Sequence, residues 1–178
     1  MREYMGKSYL KEFTSDGAGN YIYTGAHYTL DGDAKKTNLR LSLLFAAALL
    51  AVLGSGCVNA AGLNNTFYVI IPYVGEVASL FALGWNTVRL VKSGGRVRAY
   101  VYLAVKSRIP VSALFAVVFA LAGLVCSVIF MILNGTEGKP LLCAVYLAAK
   151  LAAAAIGFVT FRYFKSLKWE KMSRKTED

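Results

Sequence analysis

Residues 67–91 read FYVIIPYVGEVASLFALGWNTVRLV, with one carboxylate, Glu76, near the middle and one cation, Arg89, in the last turn. A helix of about 20 mainly apolar residues crosses the roughly 30 Å hydrocarbon core of a bilayer, because backbone polar groups in lipid must pair within their own segment. The stretch therefore reads as a transmembrane span with one acid at depth. Working outward, three more runs of this kind emerge at about 41–61, 111–133 and 141–161. They predict an all-α integral membrane protein with four spans.

Composition agrees. Of 178 residues, 57% are apolar and 17% charged, whereas soluble domains average about 45–50% and 25%. About 40 mostly polar residues precede the first run, so it is expected to be a retained span and not a cleaved signal. Within that run Leu53-Gly-Ser-Gly-Cys57 is similar to a lipoprotein cleavage box, but three further spans follow it. Cys57 is expected to be a packing residue. The division predicted is a cytoplasmic segment at 1–37, a membrane domain at 38–162 and a basic cytoplasmic tail at 163–178.

Lysines and arginines set the orientation. Lys35, Lys36 and Arg40 precede the first span, Arg89, Lys92, Arg96, Arg98, Lys106 and Arg108 fill the middle connection, and Arg162, Lys165 and four more follow the last. The other two connections are nearly free of charge. Positive residues stay on the cytoplasmic side, which places both termini and the middle loop there, in the cell membrane. The net charge of +10 then serves insertion and attraction to anionic headgroups, with Arg89, Lys92, Arg162 and Lys165 as the headgroup-binding set. Nucleic acid is not the expected partner. Asn64 and Asn134 each begin an N-x-T sequon on the expected outer side.

An internal repeat is suggested at the inner ends of spans two and four. Gly84-Trp-Asn-Thr87-Val-Arg89-Leu-Val-Lys92 aligns with Gly157-Phe-Val-Thr160-Phe-Arg162-Tyr-Phe-Lys165, and the same offset of 73 places Tyr73 on Tyr146. At an offset of 70, Leu44-Phe45-Ala46 aligns with Leu114-Phe115-Ala116 and Asn64 with Asn134. Two tandem helical hairpins would then be related by a pseudo-two-fold axis along the membrane normal. Small residues are the expected contact faces: Gly75, Ala78 and Ala82 on span two, Ala116, Ala120 and Gly123 on span three, Ala148, Ala152, Ala153 and Gly157 on span four.

Glu76 and Lys150 are the acid and base deep inside the runs, where a lone charge is costly and needs a partner. Glu76 lies ten residues beyond Thr66 and Lys150 nine beyond Leu141, roughly 13–15 Å below the outer boundary at 1.5 Å per residue. Spans two and four run the same way, so the two charges are expected to pair. The pair reads either as a clamp that orders the bundle or as a proton- or cation-coupled site lined by Pro72, Tyr73, Ser79 and Tyr146. Pro72 is expected to free a backbone carbonyl near the charge.

At the N-terminus, Met5, Tyr9 and Phe13 suggest a short amphipathic helix, residues 15–20 a turn, and residues 21–30 strand-like structure broken at Gly25. The five tyrosines of residues 1–37 favour docking on the bundle, on headgroups or on another protein. Ser93-Gly94-Gly95 reads as a helix stop, and residues 99–105 as interfacial or as an extension of span three before Pro110. The tail, with Tyr163, Phe164 and Trp169 among basic residues, is expected to be an anchoring helix. The three cysteines form no CxxC pair, and the single His27 is remote from each of them in sequence. No metal, cofactor or catalytic constellation is expected. The leading functional expectation is a non-enzymatic accessory or assembly subunit that contacts another membrane protein or its own copies. The alternative is a small oligomeric transporter or channel using Glu76 and Lys150.

Overall fold

The computed structural model describes residues 13–15, 17, 19–58 and 62–172. About 75% of the described residues are helical. Four helices carry the fold: α1 (Ala34–Cys57), α2 (Phe67–Lys92), α3 (Ala99–Asn134) and α4 (Pro140–Ser166). Each is long and apolar enough to cross a membrane. They form a ring in which α1 and α3 each pack against both α2 and α4. Successive helices are thus neighbours, and α2 faces α4 across the diagonal.

The helix limits follow from capping more than from hydropathy. Helix α1 begins seven residues before the expected 41, because the Asp33 carboxylate accepts from the backbone N–H groups of Lys35 (2.9 Å) and Lys36 (3.2 Å). Its far end is closed by Asn64, whose amide nitrogen donates to the carbonyls of Gly56 (3.0 Å) and Val58 (3.1 Å). Two of the carbonyls that every helix C-terminus leaves open are satisfied in this way. A short 3-10 turn, Leu63–Asn65, links α1 to α2. Helix α2 stops at Lys92, with Ser93 as its cap and Gly94 in the left-handed region (φ +65°), where a side chain would be strained.

Helix α3 runs unbroken through Pro110. Residues 99–110 therefore extend span three and do not form a separate interfacial piece. At 1.5 Å per residue the 36-residue helix is roughly 54 Å long, well over the bilayer core. Its excess projects from the end of the ring where α3 begins. There Val101, Tyr102, Val105 and Ile109 are buried, a helical stripe that needs a cover.

Short strands supply it. Beyond the hairpin of β1 (Phe13–Ser15) and β2 (Tyr21–Tyr23), a three-stranded antiparallel sheet has β3 (His27–Leu30) between β4 (Val97–Arg98) and β5 (Trp169–Met172). Leu30 pairs with Trp169 and His27 with both Met172 and Arg98. The sheet binds the N-terminal segment, the middle connection and the tail at one end of the bundle. Tyr28 stacks on Tyr102 at 3.9 Å between ring centroids, and Trp169 meets the same ring edge-on at 5.1 Å.

Four expectations are corrected. The tail is a strand at Trp169–Met172, not an anchoring helix: α4 ends at Ser166 and the backbone groups that follow pair with β3. Phe13 lies in β1 opposite Tyr23 and so is not part of the expected amphipathic helix, and Met5 and Tyr9 lie outside the described residues. Cys57 is exposed on the last turn of α1 and is not a packing residue. Ala78, Ala82, Ala148 and Ala152 are exposed too, while Ala116, Ala120, Gly123, Ala153 and Gly157 are buried. The reason is angular. At 100° per residue, positions two away from Glu76 or Lys150 point about 200° away from the bundle axis.

Candidate functional site

Glu76 and Lys150 are the central fact of the bundle interior. Glu76 is 1% exposed and Lys150 0%. The Lys150 ammonium donates to Glu76 Oε2, joining α2 to α4 across the diagonal. Among the described residues this is the only ion pair. A charge taken out of water is tolerated when it is paired and hydrogen-bonded. An ammonium has three donors and a carboxylate two oxygens, so one contact does not exhaust either.

The rest of the ammonium shell is aromatic. Lys150 Nζ lies 4.7 Å from the centre of the Tyr73 ring and 5.7 Å from that of Tyr146. Ring faces carry negative potential, so both favour the cation. Helix α2 supplies Tyr73 one turn before Glu76, and α4 supplies Tyr146 one turn before Lys150. The Tyr73 hydroxyl reaches α1 where Gly56 has no side chain, and a Cβ there would collide with it. Tyr146 is fully buried, and Glu76 Oε1 has no hydrogen-bond partner. Gly123 of α3 closes the remaining side: a Cβ there would lie 3.8 Å from Lys150 Nζ and 3.8 Å from Pro72.

The other expected lining residues take different parts. Ser79 donates its hydroxyl to the Gly75 carbonyl one turn back (2.7 Å) and so serves its own helix. Pro72 is buried against the Gly123 surface. The carbonyl it frees is that of Tyr68, eight residues before Glu76. At 1.5 Å per residue this is roughly 12 Å from the charge, so the expectation of a freed carbonyl beside Glu76 fails. Of the basic set, Arg89 extends over the Tyr100 ring (5.6 Å) and Lys165 over Phe161 (4.8 Å), while Lys92 and Arg162 are exposed. All four lie in the last turns of α2 and α4, at the same end as the sheet.

Sequence reasoning missed Gly56 and Asn64 as positioning residues. A glycine one residue before a span's end, and an asparagine eight residues on, carried no periodic signal; only the reversal between α1 and α2 brings them together. With the geometry in hand, comparison with protein-family models, curated proteins and solved structures finds no match to this chain.

Proposed function

We propose that this chain is a small integral membrane protein acting through contacts, as a non-enzymatic accessory or assembly subunit. The observation that carries the reading is the sealing of the charged pair. Buried to 1% and 0%, Glu76 and Lys150 neutralise each other on the bundle diagonal. That is the arrangement of a clamp. What the molecule offers outward is apolar helix faces, a basic belt and a small sheet.

Topology and domain organisation follow in the same reading. Strands β3, β4 and β5 come from the three parts of the chain richest in Lys and Arg, and their shared sheet requires one side for all three. The positive-inside rule makes that side the cytoplasm, with both termini there and the cell membrane as host. The cytoplasmic parts of 1–37 and 163–178 then act as one unit beneath the membrane domain of 38–162. Arg89, Lys92, Arg162 and Lys165 meet anionic headgroups. Another membrane protein or a second copy is the partner of the exposed helix faces, and no nucleic acid or cofactor takes part.

The tandem repeat gains support from paired contacts. Gly84 of α2 makes room for Phe45 of α1, and Gly157 of α4 for Val117 of α3. Tyr73 and Tyr146, equivalent under the offset of 73, flank Lys150 from either side. Phe45 and Val117 are not equivalent under the alignment, which places Phe45 on Phe115, so only the glycines and the tyrosines of these contacts correspond.

One observation favours the second reading, a small oligomeric transporter or channel. Glu76 Oε1 is buried without a partner beside the ammonium, as a group awaiting an exchangeable proton, cation or water would be. Reconstitution decides. Vesicles holding the full chain are expected to pass protons, monovalent cations and small solutes no faster than empty ones, with Glu76→Gln identical. In parallel, mild-detergent purification is expected to yield a stoichiometric complex or homo-oligomer. A flux that tracks pH and disappears in Glu76→Gln would reverse the assignment.

A further inference from the structure

Beside the three-stranded sheet an open cavity of about 590 Å³ is lined by residues 24–27, Arg96, Lys171 and Met172. Three separate parts of the chain thus bring basic side chains to one hollow: His27 from the start of β3, Arg96 from the connection before β4, and Lys171 from β5. Nearby, Arg98 is turned over the Tyr23 ring (5.4 Å), and the same ring meets His27 edge-on at 5.2 Å. Arg96 and Lys171 are exposed, and neither pairs with a carboxylate among the described residues.

Helix α3 sets the distance of this cavity from lipid in the four-span reading. From Leu133, at the outer boundary, back to Ala99 is 34 residues, roughly 51 Å, whereas the hydrocarbon core and one headgroup layer together take roughly 35–38 Å. Arg98, next to Ala99, is the cross-strand partner of His27. The cavity therefore lies roughly 13–16 Å beyond the headgroups, further than the Debye length of about 8 Å at physiological salt. Membrane charge is largely screened there, so the counter-charge comes from solution. This sets the cavity apart from the belt of Arg89, Lys92, Arg162 and Lys165.

We propose that the cavity binds a small soluble phosphomonoester, its dianionic phosphate held by Arg96 and Lys171 with His27 as a third donor, and its organic part against residues 24–26 and Met172. Charge selects among anions: two fixed cations match a phosphate dianion, whereas a carboxylate neutralises only one of them. Size selects among phosphates. A volume of about 590 Å³ falls within the roughly 300–1,000 Å³ of small-molecule sites and exceeds what a bare phosphate fills. Like charges drawn from three chain segments repel, and the anion removes that repulsion, so the ligand ties the N-terminal segment, the middle connection and the tail together. The four-span reading enters only in excluding lipid.

The test is calorimetric titration of the full chain in neutral detergent at physiological salt, with ribose 5-phosphate and inorganic phosphate as probes. Ribose 5-phosphate is expected to bind about tenfold more tightly than inorganic phosphate, because its organic part fills the cavity. Arg96→Gln and Lys171→Gln are each expected to weaken both about tenfold, the worth of one charge-assisted contact. Lys36→Gln, an exposed cation at the start of α1, is expected to change neither. Ligand is also expected to slow amide exchange at 24–28 and 97–98, since it binds only the folded sheet. Absence of binding by either probe overturns the proposal, as do equal affinities for the two, equal weakening by Lys36→Gln, or binding that survives both cavity variants. Nanodiscs containing phosphatidic acid identify the source of the phosphate: this lipid is expected not to displace ribose 5-phosphate, and displacement overturns the proposal. If a variant fails to fold, the parent's ranking of the probes and the lipid still decides. The titration needs neither partner nor oligomer, so its outcome is read separately from that of the complex purification.

Discussion

Lys150 would be the most expensive residue in the chain if it stood alone. Removing one member of a buried pair leaves an uncompensated charge, which costs about 3–5 kcal/mol, whereas replacing both by apolar residues is often neutral or stabilising. Glu76→Leu and Lys150→Met are therefore expected each to lower stability by about that amount in mild detergent, and the double variant to recover most of it, as read by thermal unfolding with a double-mutant cycle. The exchanged protein, Glu76→Lys with Lys150→Glu, tests direct pairing: partial recovery supports it, and none contradicts it. Gly75 gives a prediction of another kind. A Cβ there would fall 2.6 Å from the Phe119 ring, so Gly75→Ala must displace it at a cost of about 1–3 kcal/mol by overpacking. Gly123→Ala, with ordinary 3.8 Å contacts, is expected to be near neutral in the same assay.

At the scale of elements, the ends of helices and the strands matter more than the spans. Asn64→Ala removes two hydrogen bonds from the C-terminus of α1 and is expected to cost about 1–2 kcal/mol, seen as faster amide exchange over the last turn of that helix. The same amide nitrogen is the attachment atom of a glycosylation sequon, and a glycan there would leave one N–H and so remove one of the two capping bonds. The sheet gives a second test. Trp169 contacts Tyr102 and Phe164 while its backbone pairs with Leu30. Trp169→Ala is expected to cost about 2–4 kcal/mol and to loosen β3 before the spans, visible as lost exchange protection at 27–30. These elements were only partly legible. Gly25 marked the break between β2 and β3, but nothing local in Trp-Glu-Lys-Met at 169–172 distinguishes an anchoring helix from a strand. Its partner lies some 140 residues away, and pairing energy is non-local.

For the whole molecule, the decisive property is that one sheet is woven from three separate parts of the chain. An odd number of crossings between β3 and β5 would pull them to opposite sides of a membrane. Sidedness is testable through Cys57, exposed at the opposite end of α1. An impermeant thiol reagent applied to intact cells is expected to label Cys57, whereas Lys171→Cys in a cysteine-free background is expected to react only after permeabilisation. The reverse pattern would invert the orientation and move the sheet outside.

The number of membrane-length helices, their approximate limits and the matching positions of Glu76 and Lys150 along them are properties of the one-dimensional pattern. Burial in lipid demands about 20 apolar residues per crossing, and helical rise converts sequence separation into depth. Which faces look inward was not settled by small residues, since Ala78 and Ala152 suit lipid as well as a neighbouring helix. It follows from the phase set by the two charges, which must point toward each other. Tertiary structure alone decided that the pair lies on the diagonal between two tyrosines, that Asn64 closes α1, and that β5 completes a sheet with β3. Each of these joins groups whose attraction is short-ranged, so it exists only after the ring of helices has brought them within contact distance.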